Sequence, residues 1–339
     1  MNNRSYINIH VKQKWIISIL FFLLPISLLF AILIGSTNIS IFDFLNNNYN
    51  EIQSFVLFEI RIPRVFLACF VGAALSISGS SLQGIFRNPL ADPGLIGVSA
   101  GAALGAALSI VIGSYIFPEE FSHFIIPFSA IIGSIIVILI LFFITKNFRH
   151  NSIIYLLLSG IAINAFAGVG IGILTYISDE SALRGITFWS MGSFGGSSSI
   201  LIFPSIIIIF FIIIYKLKLS KELDIIQLGE KEALRLGVNI RKLKTKIIIL
   251  SAIIVGISVS LSGMIGFVGL IVPHIVRLLG GSNHFYVLLS SALAGSILLI
   301  IADLLCRIII SPAELPIGLI TSLLGAPFFL FLVYKIKEK

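Results

Sequence analysis

The chain has 339 residues, of which 58% are hydrophobic and only 11% charged, with a mean hydropathy of +1.10. Such values exclude a soluble globular enzyme and leave a polytopic membrane protein. The net charge of +8 sits in short segments between apolar runs, a distribution that follows membrane topology and argues against nucleic-acid binding.

A hydrocarbon core of about 30 Å needs about 20 helical residues. On that ruler, spans are predicted at 15–35, 62–84, 94–113, 124–145, 152–176, 198–215, 247–263, 265–279, 285–306 and 316–334. The first follows Arg4, Lys12 and Lys14 in the manner of a signal peptide. It is as long as a full span and lacks a clear small-residue cleavage site, so it reads as a transmembrane helix. The third carries Gly97, Gly101 and Gly105 at every fourth residue, one bare face that permits close helix contact. Between the second and third spans, Phe86 to Gly94 includes Pro89 and Pro93 and breaks the helix. Backbone freed at membrane depth must face water or protein, so this break reads either as the lining of a conduit or as an ordinary turn. Gly168, Gly170 and Gly172 predict a looser outer end of the fifth helix. The eighth span is short and is interrupted by Gly266, Gly269 and Pro273.

Ten spans put both termini on one side. That side then holds every one of the 23 Lys and Arg except Arg61, Arg64, Arg184 and Arg307. The opposite side holds Asp43, Glu51, Glu59, Glu119, Glu120, Asp179, Glu180 and Glu314. The positive-inside bias therefore predicts cytoplasmic termini and a cytoplasmic charged island at 216–246. The whole of 1–339 reads as one transmembrane domain carrying that segment, and a polar island in such a chain implies a soluble partner.

Ionisable groups within the spans are scarce. Asp303 and Arg307 are four apart on one helix near its outer end, a spacing at which they form an ion pair. His274, after Pro273, reads as a hydrogen-bonded structural residue, and Cys69 and Cys306 as small buried hydrophobes. An ion-coupled carrier usually places titratable groups on broken helices at the bilayer midplane, whereas here the polar breaks lie near span ends. The sequence has no clustered catalytic set and no Gly-x4-Gly-Lys-Ser/Thr loop, so any ATP is hydrolysed by another chain.

Several long motifs occur in order: Arg61-Ile-Pro-Arg64, Gly72 to Gly79, Gln83 to Gly97, Gly266 to Arg277, Ala313 to Gly318 and Leu324 to Pro327. Together they resemble the FecCD-type permeases of bacterial ABC importers, which carry ferric siderophores, haem or cobalamin. The resemblance covers essentially the whole chain. It implies an all-α, ten-helix, type II importer permease in the bacterial inner membrane, working as a homodimer with the path along its axis. It also implies two cytoplasmic ABC ATPases that hold ATP and Mg, a soluble or lipid-anchored substrate-binding protein outside, and no cofactor or metal of the permease's own.

The same resemblance assigns roles by position. Leu228 to Gly237 corresponds to the segment that seats in the ATPase. Within this coupling segment, which includes Gly229, both Ala233 and Gly237 are expected to permit close approach, with Glu230, Glu232 and Arg235 pairing across the interface and Gly237 ending the helix. Arg61 and Arg307 correspond to positions that receive acidic residues of the binding protein, against the simpler reading of snorkelling anchors. Asn88, Leu90 and Ser152 correspond to residues that narrow the inner end of the path, against the simpler readings of a turn and a helix cap. Arg87 to Gly94 and Leu183 to Gly192 are closer to haem importers than to the average siderophore permease, although cobalamin permeases share much of the first. Arg184 is a candidate contact for a haem carboxylate or a partner of Asp179 or Glu180. No haem-attachment motif or axial pair accompanies it, so haem is read as cargo.

Overall fold

The computed structural model describes residues 3–35, 50–116, 118, 121–147, 152–196 and 199–337. Asp43, Glu119, Glu120, Arg149 and Lys339, used above to assign sides, lie outside them. Among the described residues the regular structure is helical: α1 (Asn3–Leu33), α2 (Glu51–Phe86), α3 (Val98–Val111), α4 (Ser122–Asn147), α5 (Ser152–Ile177), α6 (Glu180–Met191), α7 (Ser199–Lys218), α8 (Ser220–Ile226), α9 (Glu230–Arg235), α10 (Ile240–Ser262), α11 (Val268–Gly280), α12 (His284–Ile308) and α13 (Ile317–Lys337). Seven helices are long and apolar enough to cross a membrane, and α3, α11 and α13 contribute shorter apolar stretches. These correspond in order to the ten predicted spans.

Helix α2 is the centre of the bundle, with nearly all of its apolar stretch buried. Its Gly72 and Gly79 lie against the backbone of α12 and α11: a Cβ on Gly72 would stand 2.2 Å from the Gly295 carbonyl oxygen, and one on Gly79 1.7 Å from that of Gly269. The Ser296 hydroxyl of α12 donates to the Cys69 carbonyl at 2.7 Å, which locks the same pair. Close backbone approach of this kind supplies the dispersion contacts that hold helices together when lipid is as apolar as the core. Gly101 and Gly105 behave as predicted, each meeting α4 backbone, at Gly133 and Ser129 respectively. Gly97 does not join them: at φ +86 it ends the Pro93–Ile96 turn and faces Ile163 of α5.

The structure changes several sequence expectations. Helix α10 begins at Ile240, seven residues before the predicted span, because the Asn239 side chain accepts from the Lys242 N–H and caps it. Helix α5 is continuous through Gly168, Gly170 and Gly172, so their spacing does not loosen it. Helix α6, amphipathic and capped by Asp179, was not anticipated. Lys216 opens the charged island in sequence yet turns into the core, where its Nζ donates to the Ser251 hydroxyl at 2.6 Å. Cys69 and Cys306 are buried free thiols.

Candidate functional sites at the two ends of the bundle

One end gathers the C-terminus of α1, the first half of α2 and the C-terminus of α12. The last carbonyls of a helix have no partner within it and carry the negative end of its dipole. Here two arginines meet them. Arg61 donates to the Ile32 and Leu33 carbonyls at 3.2 and 3.0 Å, and Arg307 to those of Ala31 and Ile34 at 2.9 and 3.3 Å. Arg307 Nε also stands 3.1 Å from Asp303 Oδ2, a charge contact without hydrogen-bond alignment. The predicted pair is therefore present.

It belongs to a larger set. Arg64 bridges Asp303 and Glu314, at 2.9 Å to each. Arg64 and Glu314 were not singled out from the sequence as partners, although Arg61 and Arg64 are three apart and share a helix face. The pairing with Glu314 needs the turn after α12, whose Leu315 N–H reaches back to the Cys306 carbonyl.

Exposed docking arginines were expected, and the geometry corrects this. Arg61 is only 3% and Arg307 7% exposed, and both guanidinia are committed to the end of α1. Glu314, by contrast, is 48% exposed and forms the accessible edge of the cluster.

The opposite end carries the island. Helix α9 closes in a Schellman arrangement, with the Gly237 N–H donating to the Leu234 carbonyl at 3.0 Å and the Val238 N–H to that of Ala233 at 2.9 Å. Gly237 has φ +84, so it ends the helix as expected, and both it and Gly229 (φ +124) face open space. Ala233 departs from expectation. It is fully buried against Val238, Leu243 and their neighbours, so it seats α9 on its own chain and is unavailable to a partner. Glu230, about half exposed, pairs with the buried Lys244 at 2.7 Å, and Arg235 pairs with Glu232 on the same helix at 2.9 Å. The outward surface of α9 and its flanks mixes Leu228, Leu234 and Leu236, each more than half exposed, with the exposed charges of Lys231, Glu232 and Arg235.

The proline break lies between α2 and α3 at this same end. Helix α2 stops at Arg87, a non-glycine residue at φ +50, whose guanidinium reaches the Ile226 carbonyl of α8. Asn88 accepts from the Leu90 N–H at 2.9 Å and its carbonyl from the Ala91 N–H at 3.1 Å, so the turn reading of Asn-Pro is present in the geometry. Asn88 is exposed and Leu90 half-buried. Ser152 is the first residue of α5.

The freed backbone is satisfied by protein. The Asn164 side chain donates to the Gly94 carbonyl at 3.3 Å, while Gln83 shares its amide N–H groups among the carbonyls of Ala91, Gly269 and Leu270 at 3.3 to 3.4 Å. Gln83 in turn accepts from Arg277 of α11. One glutamine thus braces both interrupted segments, a role that its type and position do not announce in one dimension. Arg184 on α6 is exposed and pairs with Glu180 at 2.6 Å, the loop partnership weighed above.

Nine apolar helical segments around a central α2, a buried charge cluster at one end and a short charged helix at the other define, among the described residues, a polytopic membrane protein. The chain belongs to the FecCD transport family, whose profile matches residues 23–335. It is 43% identical over 336 residues to the hemin transport system permease protein HmuU of Yersinia pestis, covering 98% of this chain and 99% of that one. It is 33% identical over 334 residues to the vitamin B12 import system permease protein BtuC of Vibrio vulnificus, covering 96% of each. A solved structure described as an inward-facing conformation of a metal-chelate type ABC transporter superposes with a TM-score of 0.84 at 36% identity, covering 95% of this chain and 99% of that one.

Proposed function

We propose that this chain is the permease subunit of an ABC importer that moves haem across the bacterial inner membrane, with both termini cytoplasmic. The observation that carries the cargo is the end-to-end similarity to a hemin permease, at 43% identity against 33% for the vitamin B12 permease above. Ferric siderophore or cobalamin import by the same machinery is the second reading, supported by that vitamin B12 relative and by the metal-chelate transporter.

Energy comes from two partner ATPases holding ATP and Mg. Leu228, Leu234 and Leu236, with the open Gly229 and Gly237, support the seating of α9 in an ATPase cleft: apolar side chains supply contact area, and missing side chains permit close approach. Glu232 and Arg235 lie at the rim of this surface, while Glu230 and Ala233 hold it in shape.

A path shared between two copies of the chain is supported by the nature of the cleft beside α3, α4 and α5. That cleft, of about 630 Å³, is lined almost wholly by apolar side chains and glycine, a poor route for a charged cargo. The proposed inner narrowing is at Asn88, Leu90 and Ser152, and the binding protein docks at the arginine end, where Glu314, the edge of the Arg64 cluster, is accessible.

The test is reconstitution in liposomes with the ATPase and the binding protein. Uptake of haem, with ATP hydrolysis stimulated by haem-loaded binding protein and not by cobalamin-loaded or siderophore-loaded protein, is expected. Stimulation by cobalamin or a ferric siderophore alone overturns the cargo, and uptake driven by an ion gradient without ATPase overturns the importer reading.

A further inference from the structure

Among the contacts that tie the island to the bundle, the joint made by α8 grips two helices at once. Asp224 of α8 accepts from the backbone N–H of His284, the first residue of α12, at 2.9 Å and contacts His284 Nδ1 at 2.7 Å. Asn283 stands 3.4 Å from the other carboxylate oxygen. A carboxylate placed on the first N–H of a helix satisfies an orphan donor and meets the positive end of the dipole.

The buried His284 ring lies between Asp224 and α2: a Cβ on Gly84 would come within 2.8 Å of Nε2. The next residue pattern binds α2 itself. Gln227 donates to the Gly84 carbonyl at 2.8 Å, and Arg87 reaches the Ile226 carbonyl. Helix α8 is therefore fastened to the C-terminus of α2 and the N-terminus of α12 together.

Those two helices are joined at mid-length by the close approach of Gly72 to Gly295 and by the Ser296 to Cys69 hydrogen bond. At their far ends they carry the two halves of the arginine cluster, with Arg61 and Arg64 on α2 and Asp303 and Arg307 on α12. Glycine-to-backbone contact leaves little room for one helix to slide without the other.

We propose that Asp224 and His284 are positioning residues that join the coupling segment to the α2–α12 pair, and that this pair moves as one rod between the ATPase seat and the binding-protein face. The inference rests on the reading of 228–237 as the ATPase seat. Such a pair gives both sites one element whose two positions each can bias, which is how distant sites couple.

The experiment uses the full transporter in liposomes with binding protein carrying whichever of haem, ferric siderophore or cobalamin stimulates the wild type. Three quantities are read: ATPase retained on purification, hydrolysis without binding protein, and hydrolysis and uptake with it. Asp224→Ala is expected to retain the ATPase and its unstimulated hydrolysis, while stimulation and uptake fall about tenfold, a typical loss of coupling. Asp224→Asn, which keeps an acceptor for the His284 N–H, is expected to recover part of both. Full stimulation in Asp224→Ala overturns the joint. So does loss of the ATPase in both variants, since the residue would then only hold the segment's fold. Leu234→Asp separates the underlying reading: retention of the ATPase and full uptake in that variant sinks the seat, whereas a lost ATPase there beside full stimulation in Asp224→Ala sinks the joint alone.

Discussion

The two ends of α2 and α12 solve opposite problems with the same residue types. At the arginine end, the three arginines and Asp303 are buried, and each is held by another charge or by the terminal carbonyls of α1. At the island end, charges mostly face outward on α9, and the buried ones, Lys244 and Lys216, are individually satisfied by Glu230 and Ser251. Burial makes the first end a structural clasp, intolerant of change. Exposure leaves the second free to take a partner, with its apolar residues Leu228, Leu234 and Leu236 outside and its alanine inside.

This contrast is open to breakage, beginning with its costliest element. Asp303→Ala removes the carboxylate between Arg64 and Arg307, and stranding buried charge costs about 3–5 kcal/mol. Thermal unfolding in detergent is expected to show a large drop, and an unchanged midpoint contradicts the clasp. Gly295→Val forces a side chain into Ser76 and the Gly72 carbonyl, with an expected loss of about 1–3 kcal/mol from overpacking. A smaller loss would mean that α2 and α12 separate easily.

On the other end, Leu234→Asp is expected to leave unfolding within about 0.5 kcal/mol of wild type, as for an ordinary surface change, while the ATPase no longer co-purifies. Destabilisation comparable to Asp303→Ala would erase the distinction between the ends. The smallest effect is expected for Arg184→Ala, which breaks an exposed i,i+4 pair worth about 0.2–0.5 kcal/mol. Uptake close to wild type is the expected result, and a tenfold fall at unchanged stability assigns Arg184 to the cargo instead.

Legibility in sequence followed the locality of the interaction. The Asp303–Arg307 pair, the Gly237 helix end and the Gly101/Gly105 face were readable because each depends on residues within about one or two turns of the same helix. Arg61 and Arg307 were recognised as special, but their exposure was misjudged. Their partners are the last carbonyls of α1, main-chain groups with no side-chain signature and nearly 30 or more residues away. Ala233 was misassigned for a related reason: smallness suits an external interface and a tight internal seat equally, and only the packing around it distinguishes them.

Composition and periodicity by themselves determined that this chain lives in a membrane, how many apolar segments it has and where its charge lies, because lipid imposes length and hydropathy on each segment separately. Order and spacing of motifs determined its family. Tertiary structure alone decided which charges are buried and which helices are fused. It brought Asp224 onto His284 and Gln83 onto two interrupted segments, because such contacts join residues far apart in the chain through hydrogen bonds that no local pattern records.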